Sequence, residues 1–377
     1  MILGMARQFD VAIAGAGILG LAHAYHYAKA GKRVAVFERG ERALGASVRN
    51  FGMVWPVGQP PGEMREMAVA SRGFWLEVLG ASGIWHLRSG SMHLAYHEDE
   101  LAVLEEFVTQ QPGYGATVIS PSEVLQKTPV VRPDGLLGGM WSADEVCVDP
   151  RDVIASLPTY LRYLGVEFFY GSAVSHVETG RLVAGGEEFL ADQLLLCTGD
   201  DFETLFPERF ASSGMVRCKL QMLKARPQAA EYQIRTHLCA GLTLGHYANF
   251  KGCQTLVPVL KRFERELPEH LRWGIHLLVS QHESGDLTIG DSHEYGMSHD
   301  PFLRESIDRL ILQYLDTFLD TSQFDIVERW HGVYAKHPTK SYIVDRPCSG
   351  VTVVTGVGGA GMTLSFGLAD RVCRGLV

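Results

Sequence analysis

The sequence alternates short apolar runs with stretches of helical length. Near the N-terminus, the apolar run Phe9–Ala14 is followed by an alanine-rich stretch that ends at Gly31 and by a second apolar run over residues 33–37. Short apolar runs separated by a helical stretch predict a strand, a helix and a parallel strand. The pattern returns near the C-terminus, where the apolar run Val351–Val354 precedes a helix predicted over 364–374. The pattern therefore predicts an α/β fold.

The two kinds of pattern are interleaved along the chain. Alternating strand and helix patterns occupy residues 1–80, 149–214 and 323–377, and we predict that these segments form one discontinuous domain. Strand-rich patterns occupy residues 81–148 and 215–322, which we expect to form a second domain around an antiparallel sheet.

Three local predictions follow within the strand-rich segments. Two strand-like runs on either side of Ser89–Gly90 predict a hairpin, and residues 262–271 predict a helix. Residues 276–280 and 287–289 predict neighbouring antiparallel strands.

Glycines follow the first apolar run in the spacing Gly15-x-Gly17-x-x-Gly20. In this motif the first glycine permits a tight turn, the second lets the backbone approach a pyrophosphate, and the third lets the helix pack on the strand. Glu38 ends the second strand, where a carboxylate can bind ribose hydroxyls. The flanking strands, helix and acid favour a dinucleotide site over a glycine-rich turn that binds nothing.

A second glycine-rich turn, Gly356–Thr363, follows the apolar run Val351–Val354. It leads into the predicted C-terminal helix, whose N-terminus can face an electron-rich group. The density of glycines favours close approach of a ligand over an ordinary turn.

Composition and charge exclude several classes of protein. Of 377 residues, 46% are hydrophobic, and the formal net charge of −9 without a basic run argues against nucleic-acid and anionic-membrane partners. No apolar run is long enough to span a membrane, and the start is too short for a signal peptide, with Met1 and Met5 both candidate initiators. The seven cysteines form no CxxC pair, which predicts reduced thiols in the cytoplasm. The histidines lack zinc-site spacing, so we predict no metal.

On these motifs the chain resembles the FAD-dependent D-amino acid oxidase superfamily, and within it the glycine oxidase and sarcosine oxidase branch. The resemblance implies a Rossmann-like FAD-binding domain of the glutathione-reductase type, interleaved with an antiparallel-sheet substrate domain. The residues that it implies for FAD binding are Gly15, Gly17, Ile18, Leu19, Gly20, Glu38, Arg39, Ala46, Ser47, Asn50, Gly52, Met53, Val174, Cys197, Thr198, Gly199, Gly332, Gly358, Gly359, Gly361, Met362 and Thr363.

The resemblance also implies the chemistry. Members oxidise the C–N bond of a small amine to an imine, which water hydrolyses, and pass the electrons to oxygen or another acceptor. The cysteine that links flavin in sarcosine oxidases falls near Gly332, which predicts non-covalent FAD. We assign no catalytic residue, because the flavin carries out the difficult step.

Both carboxylate anchors of the family are missing. The arginine of glycine oxidases falls at Tyr334 and the lysine of sarcosine oxidases at Thr363, and we predict that both residues contact the substrate. The cation for its acidic group must then come from elsewhere, with Lys336 as the first candidate and Arg49 as the second. Lysine binds a phosphonate well, although the turn 336–340 also fits a solvated basic loop.

The runs Ser47–Met53 and Trp330–Tyr334 resemble a clade associated with aminophosphonate breakdown, which implies 2-aminoethylphosphonate or its N-methyl form as the substrate. Three alternatives remain. They are an amino-acid enzyme similar to glycine oxidase or D-amino acid dehydrogenase, a tRNA-modifying flavoprotein that the acidic charge disfavours, and a non-catalytic flavin-binding subunit. The sequence predicts no oligomeric state.

Overall fold

The computed structural model describes residues 7–377. The choice between Met1 and Met5 as initiator and the start of the first predicted segment lie outside the described residues. The strands are β1 (Arg7–Ala14), β2 (Val34–Phe37), β3 (Met53–Val54), β4 (His86–Leu87), β5 (Ser91–Ala95), β6 (Thr117–Ile119), β7 (Gly138–Ser142), β8 (Val146–Val148), β9 (Glu167–Phe169), β10 (Val174–Glu178), β11 (Arg181–Ala184), β12 (Glu187–Leu196), β13 (Val216–Pro227), β14 (His237–Cys239), β15 (Leu278–Gln281), β16 (Leu287–Gly290), β17 (Glu294–Gly296), β18 (Phe324–Lys336), β19 (Ile343–Asp345) and β20 (Val351–Thr355). The helices are α1 (Ile18–Lys29), α2 (Glu63–Ser82), α3 (Glu98–Gln110), α4 (Pro121–Lys127), α5 (Pro150–Tyr163), α6 (Pro207–Ser213), α7 (Leu242–His246), α8 (Leu256–Glu266), α9 (Pro268–Arg272), α10 (Glu305–Leu315) and α11 (Gly361–Cys373).

The first sheet has a parallel centre in the order β9-β2-β1-β12-β20. Strands β10, β11 and β19 extend it with antiparallel pairs. Along β1, Val11 and Ile13 join the core with residues of α1, α2, α5 and α11, whereas Ala12 and Ala14 join the core on the other face. Because both faces are covered, residues 11–14 of β1 form an unbroken apolar run, which is the pattern expected of a parallel strand. The predicted α/β fold is confirmed.

The second sheet has nine strands in the order β17-β13-β16-β15-β14-β5-β7-β6, with β18 paired to β13. All neighbours are antiparallel except β5 and β14. The sheet draws its strands from the two segments predicted for the second domain and from β18, which starts just inside the segment 323–377. The division of the chain into whole domains stays a prediction.

Two of the three local predictions need correction, and the third holds. The hairpin around Ser89–Gly90 is wrong, because β4 pairs with β8 in a separate three-stranded sheet while β5 pairs with β7 and β14. The predicted helix 262–271 is two helices, α8 and α9, divided at Leu267 before Pro268, since a residue preceding proline is disfavoured in helical conformation. The antiparallel pairing of β15 with β16 is confirmed. Over residues 7–377, no helix combines the length and the apolar character needed to cross a membrane.

Candidate functional site

A cavity of about 1030 Å³ lies where the two sheets meet. Residues at the carboxyl ends of β1, β2, β12 and β20 line one part of it, and residues of β13, β15 and β18 line another. Ligands of parallel α/β sheets bind outside the carboxyl ends of the strands. The volume is at the upper end of the range of about 300–1,000 Å³ for small-molecule sites, so a large ligand fits.

In the first glycine turn, backbone without side chains forms part of the cavity wall. Gly15 has a φ of +102°, and a Cβ there would lie 2.4 Å from the carbonyl oxygen of Cys197. A Cβ on Gly20 would lie 1.9 Å from the carbonyl oxygen of Gly15, so this residue packs inside the turn and does not line the cavity. Gly17, Ile18 and Leu19 do line it, at the N-terminus of α1. The turn therefore presents a helix N-terminus to an anionic group.

Glu38 is fixed beside this turn. One of its carboxylate oxygens accepts the Ala16 N–H at 3.1 Å, and the other accepts the Gly40 N–H at 3.0 Å. Arg39 lines the cavity next to it and pairs with Asp201 at 3.1 Å. The acid thus lies at the end of β2, as the dinucleotide motif requires.

Hydrogen bonds of the Ser47 and Asn50 side chains hold the segment after β2 in place. The Ser47 hydroxyl accepts the Ile18 N–H at 3.0 Å, and the Asn50 side-chain amide donates to the carbonyl oxygens of Ala46 and Ser47. The Asn50 side-chain oxygen accepts the Gly52 N–H at 2.8 Å. Asn50 therefore positions the loop backbone along the cavity.

Gly52 is not in the cavity wall, because it packs where a Cβ would lie 1.8 Å from the carbonyl oxygen of Val148. Apart from Gly20 and Gly52, the residues predicted to bind FAD line the cavity. Among them are Ala46, Met53, Val174, Cys197, Thr198, Gly199, Gly332, Gly358, Gly359, Gly361, Met362 and Thr363. Burial raises the pKa of the Cys197 thiol to about 12, so it stays protonated. Gly332 has little room, since a Cβ there would lie 3.0 Å from Leu220 Cδ1.

Thr363 has its hydroxyl turned to the protein. The residue is 3% exposed, and its Oγ1 accepts the backbone N–H of Trp55 at 3.0 Å. The same oxygen lies 3.4 Å from the carbonyl oxygen of Met53. The hydroxyl therefore joins the start of α11 to the end of β3, which leaves it poorly placed for the predicted contact with a substrate.

Replacing Thr363 with valine should lower the free energy of unfolding by about 1–3 kcal/mol, because the buried backbone N–H of Trp55 loses its acceptor. Thermal or urea unfolding measures this loss, and Thr363→Ser should restore most of it. If Thr363→Val instead changes kcat/KM for one class of amine and leaves stability unchanged, the hydroxyl contacts substrate.

Tyr334 and Lys336 extend from the same side of β18 over the second glycine turn. An ideal Cβ on Gly359 would lie 3.6 Å from the Tyr334 hydroxyl, and one on Gly358 would lie 3.9 Å from Lys336 Cδ. The Lys336 Nζ lies 3.3 Å from the Tyr295 hydroxyl, and within residues 7–377 it forms no ion pair with a carboxylate. This end of the cavity therefore holds an ammonium group without a counter-ion.

Arg49 also lines the cavity, close to β18. Its guanidinium donates to the carbonyl oxygen of His331 at 3.2 Å, and the described part of the chain shows no carboxylate paired with it. The structure thus brings Arg49, Tyr334 and Lys336 into one cavity. Their roles toward a substrate stay predictions.

Sequence reasoning missed four polar residues in the same cavity: His246, His276, Asp291 and His293. The ring planes of His246 and His276 are stacked, with centroids 3.7 Å apart. Burial lowers the pKa of all three histidines and raises that of the Asp291 carboxyl. The residues lie on three separate pieces of chain, so no local spacing could have linked them.

Known proteins with similar sequences include glycine oxidases and D-amino acid dehydrogenases. Glycine oxidase of Bacillus licheniformis is 30% identical over 183 residues, which are 46% of this chain and 48% of that protein. D-amino acid dehydrogenase of Helicobacter pylori is 26% identical over 250 residues, covering 50% of this chain and 60% of that protein. The chain thus spans about half the length of the curated relatives that it matches.

Among solved structures, glycine oxidase from Geobacillus kaustophilus matches with a TM-score of 0.77 and 21% identity. The match covers 98% of this chain and 95% of that one. At this identity the likeness shows the fold, which extends over the whole described chain.

The residues of the cavity fit a dinucleotide. Gly15 and Gly17 leave a cradle that a Cβ would fill, two helix N-termini border the cavity, and Glu38 stands at the end of β2. The sequence matches the family DAO, described as FAD dependent oxidoreductase, over residues 10–374. The chain therefore belongs to the DAO family of FAD-dependent oxidoreductases.

Proposed function

We propose that the chain oxidises the C–N bond of a small primary or secondary amine that carries an acidic head, and that the substrate is an aminophosphonate such as 2-aminoethylphosphonate or its N-methyl form. The observation that carries the proposal is the Lys336 ammonium, which reaches the cavity over the Gly358–Gly359 turn without a carboxylate partner in the described residues. A phosphonate carries more charge than a carboxylate and three acceptor oxygens, so it suits an ammonium in a confined site.

The cavity supports this chemistry in three ways. Bound FAD would supply the acceptor for the hydride that leaves the carbon next to the amine. Lys336 holds the acidic head, and the Tyr334 hydroxyl stays protonated because burial raises its pKa well above the usual range. The buried walls formed by Leu220, Met222 and Leu278 exclude bulk water from the reacting amine. Water then hydrolyses the imine to a carbonyl compound and ammonia, or an amine where the substrate is a secondary amine, and oxygen or another acceptor receives the electrons.

A second candidate is an amino-acid enzyme of the glycine oxidase or D-amino acid dehydrogenase kind. The sequence similarity to those enzymes favours it. In this alternative the cations at Lys336 and Arg49 hold a carboxylate instead of a phosphonate. Both candidates use the same cavity, so substrate choice separates them.

Anaerobic bleaching of the purified yellow protein tests the proposal. The panel is 2-aminoethylphosphonate, its N-methyl form, glycine, sarcosine and D-alanine. We expect the two phosphonates to bleach the flavin fastest. Faster bleaching by an amino acid overturns the phosphonate assignment in favour of the second candidate. No bleaching by any of the five overturns both.

We expect FAD to be bound without a covalent link, because Gly332 stands where a linking cysteine falls and a Cβ there has only 3.0 Å to Leu220 Cδ1. Acid denaturation followed by ultrafiltration should release all yellow colour into the filtrate. Colour retained with the polypeptide contradicts this expectation.

We also propose a cytoplasmic location. All seven cysteines fall within the described residues and are free thiols, and five of them are buried. Free thiols persist where glutathione and thioredoxin keep them reduced. Cell fractionation that recovers the protein outside the cytoplasm would overturn this assignment.

A further inference from the structure

We propose that His246, His276, His293 and Asp291 bind one divalent transition-metal ion, of which Zn²⁺ is the best fit, in the wall of the cavity. The inference rests on these four side chains and is independent of the proposed substrate. It differs from the prediction from sequence that the chain holds no metal, which considered only local spacing.

Distances between the possible ligand atoms support the site. One ring nitrogen from each histidine lies within 4.8 Å of those of the other two. Zinc–nitrogen bonds of about 2.0–2.1 Å in tetrahedral geometry place ligand nitrogens roughly 3.4 Å apart. Rotation of the imidazole rings, two of which are stacked, must therefore bring the three nitrogens to bonding distance of one ion.

Hydrogen bonding around His293 prepares one of these ligands. Its Nδ1 lies 2.9 Å from the carbonyl oxygen of Gly274, so Nδ1 carries the proton and donates. The lone pair of Nε2 then remains free, and Nε2 lies 3.9 Å from an oxygen of Asp291. A backbone carbonyl that orients a histidine in this way is the usual outer partner of a metal ligand.

Two buried atoms at the cluster lack partners in the described chain. His276 Nδ1 and Asp291 Oδ1 lie 3.1 Å apart, but neither makes a hydrogen bond of acceptable geometry. Both side chains are at least nine-tenths buried, with 3% of His276 and 5% of Asp291 exposed. Because buried polar atoms are rarely left unsatisfied, a cation bound between these two atoms would satisfy both.

The charges at the cluster suit a cation. A buried carboxylate needs a counter-charge, and within residues 7–377 Asp291 contacts only His276 at 3.1 Å and His293 at 3.9 Å, with no lysine or arginine paired to it. Metal ions bind neutral imidazole and ionised carboxylate, which together form an N₃O donor set suited to Zn²⁺. The nearby Lys336 ammonium opposes a cation, so the proposal requires the Asp291 carboxylate to offset it.

The test uses the FAD-loaded protein after dialysis against EDTA, titrated with ZnCl₂ in a calorimeter. We expect one equivalent of Zn²⁺ to bind, and metal analysis of the protein after desalting to recover it. His276→Ala and His293→Ala should each weaken binding by more than about 100-fold, because losing even an outer partner weakens binding by about 10–100-fold.

His270→Ala is the matched control. His270 is a buried histidine of the same part of the fold that hydrogen-bonds to the carbonyl oxygen of Leu310, away from the cluster, and its loss should leave zinc affinity unchanged. A wild-type protein that binds no zinc overturns the proposal without any variant. Variants that bind zinc as tightly as the wild type overturn the assignment of these ligands. Bleaching by amines does not enter this test, so it can fail while the proposed function stands.

Discussion

Lys336→Ala should lower kcat/KM toward 2-aminoethylphosphonate by about 10- to 160-fold. This factor corresponds to a loss of roughly 1.5–3 kcal/mol of transition-state stabilisation, which is the usual contribution of a charge-assisted contact. The loss should be much smaller toward a neutral amine of similar length. Within the described residues the Lys336 ammonium has no carboxylate partner, so its removal breaks no ion pair in the protein. Steady-state kinetics with both amines measures the difference.

Lys261→Ala is the control for this prediction. Lys261 is exposed on α8 and does not line the cavity, so its loss should leave both kinetic constants unchanged. Equal losses for the acidic and the neutral amine, or no loss for either, would show that Lys336 is a surface lysine. The phosphonate assignment would then rest on the family resemblance alone.

Gly15→Ala should unfold much of the FAD-binding turn and reduce the FAD content of the purified protein severely. We expect a loss of at least about 2 kcal/mol in the free energy of unfolding, since a left-handed residue with a Cβ carries about 1–2 kcal/mol of strain before any clash. Here the new Cβ also meets a backbone oxygen at 2.4 Å, which a side-chain movement cannot relieve. Flavin absorbance per polypeptide and urea unfolding measure the two effects.

Gly31→Ala is the control that separates the backbone strain of a positive φ from the steric clash expected at Gly15. Gly31 has a φ of +75°, but no atom lies within 4 Å of the position that its Cβ would take. Its loss of stability should therefore be limited to about 1–2 kcal/mol, and its FAD content should match the wild type. Equal FAD loss in both variants would mean that the close approach at Gly15 is not what shapes the cofactor site.

The parts of the site that depend on local sequence were predictable. Gly15, Gly20 and Glu38 lie in one strand-turn-helix-strand unit, where each role follows from the spacing between neighbours. The error at Ser89–Gly90 has the opposite cause. A hairpin and a chain that passes from one sheet to another show the same apolar pattern, and only distant partners such as β8 and β14 decide between them.

The histidine cluster could not be predicted for a related reason. His246 ends α7, His276 precedes β15 and His293 follows β16, so their meeting depends on how three elements pack. The role of Thr363 was hidden in the same way, because its hydroxyl contacts the distant residues Met53 and Trp55. Residue type alone reveals neither.

The order of strands in the two sheets sets the order in which the chain can fold during synthesis. Strand β1 is made well before its partner β12, so one of its edges stays unpaired until β12 has left the ribosome, about 180 residues later. The nine-stranded sheet similarly waits for β18, and the first sheet for β20. Contacts this distant in sequence slow folding and leave strand edges open to wrong partners while the chain is being made.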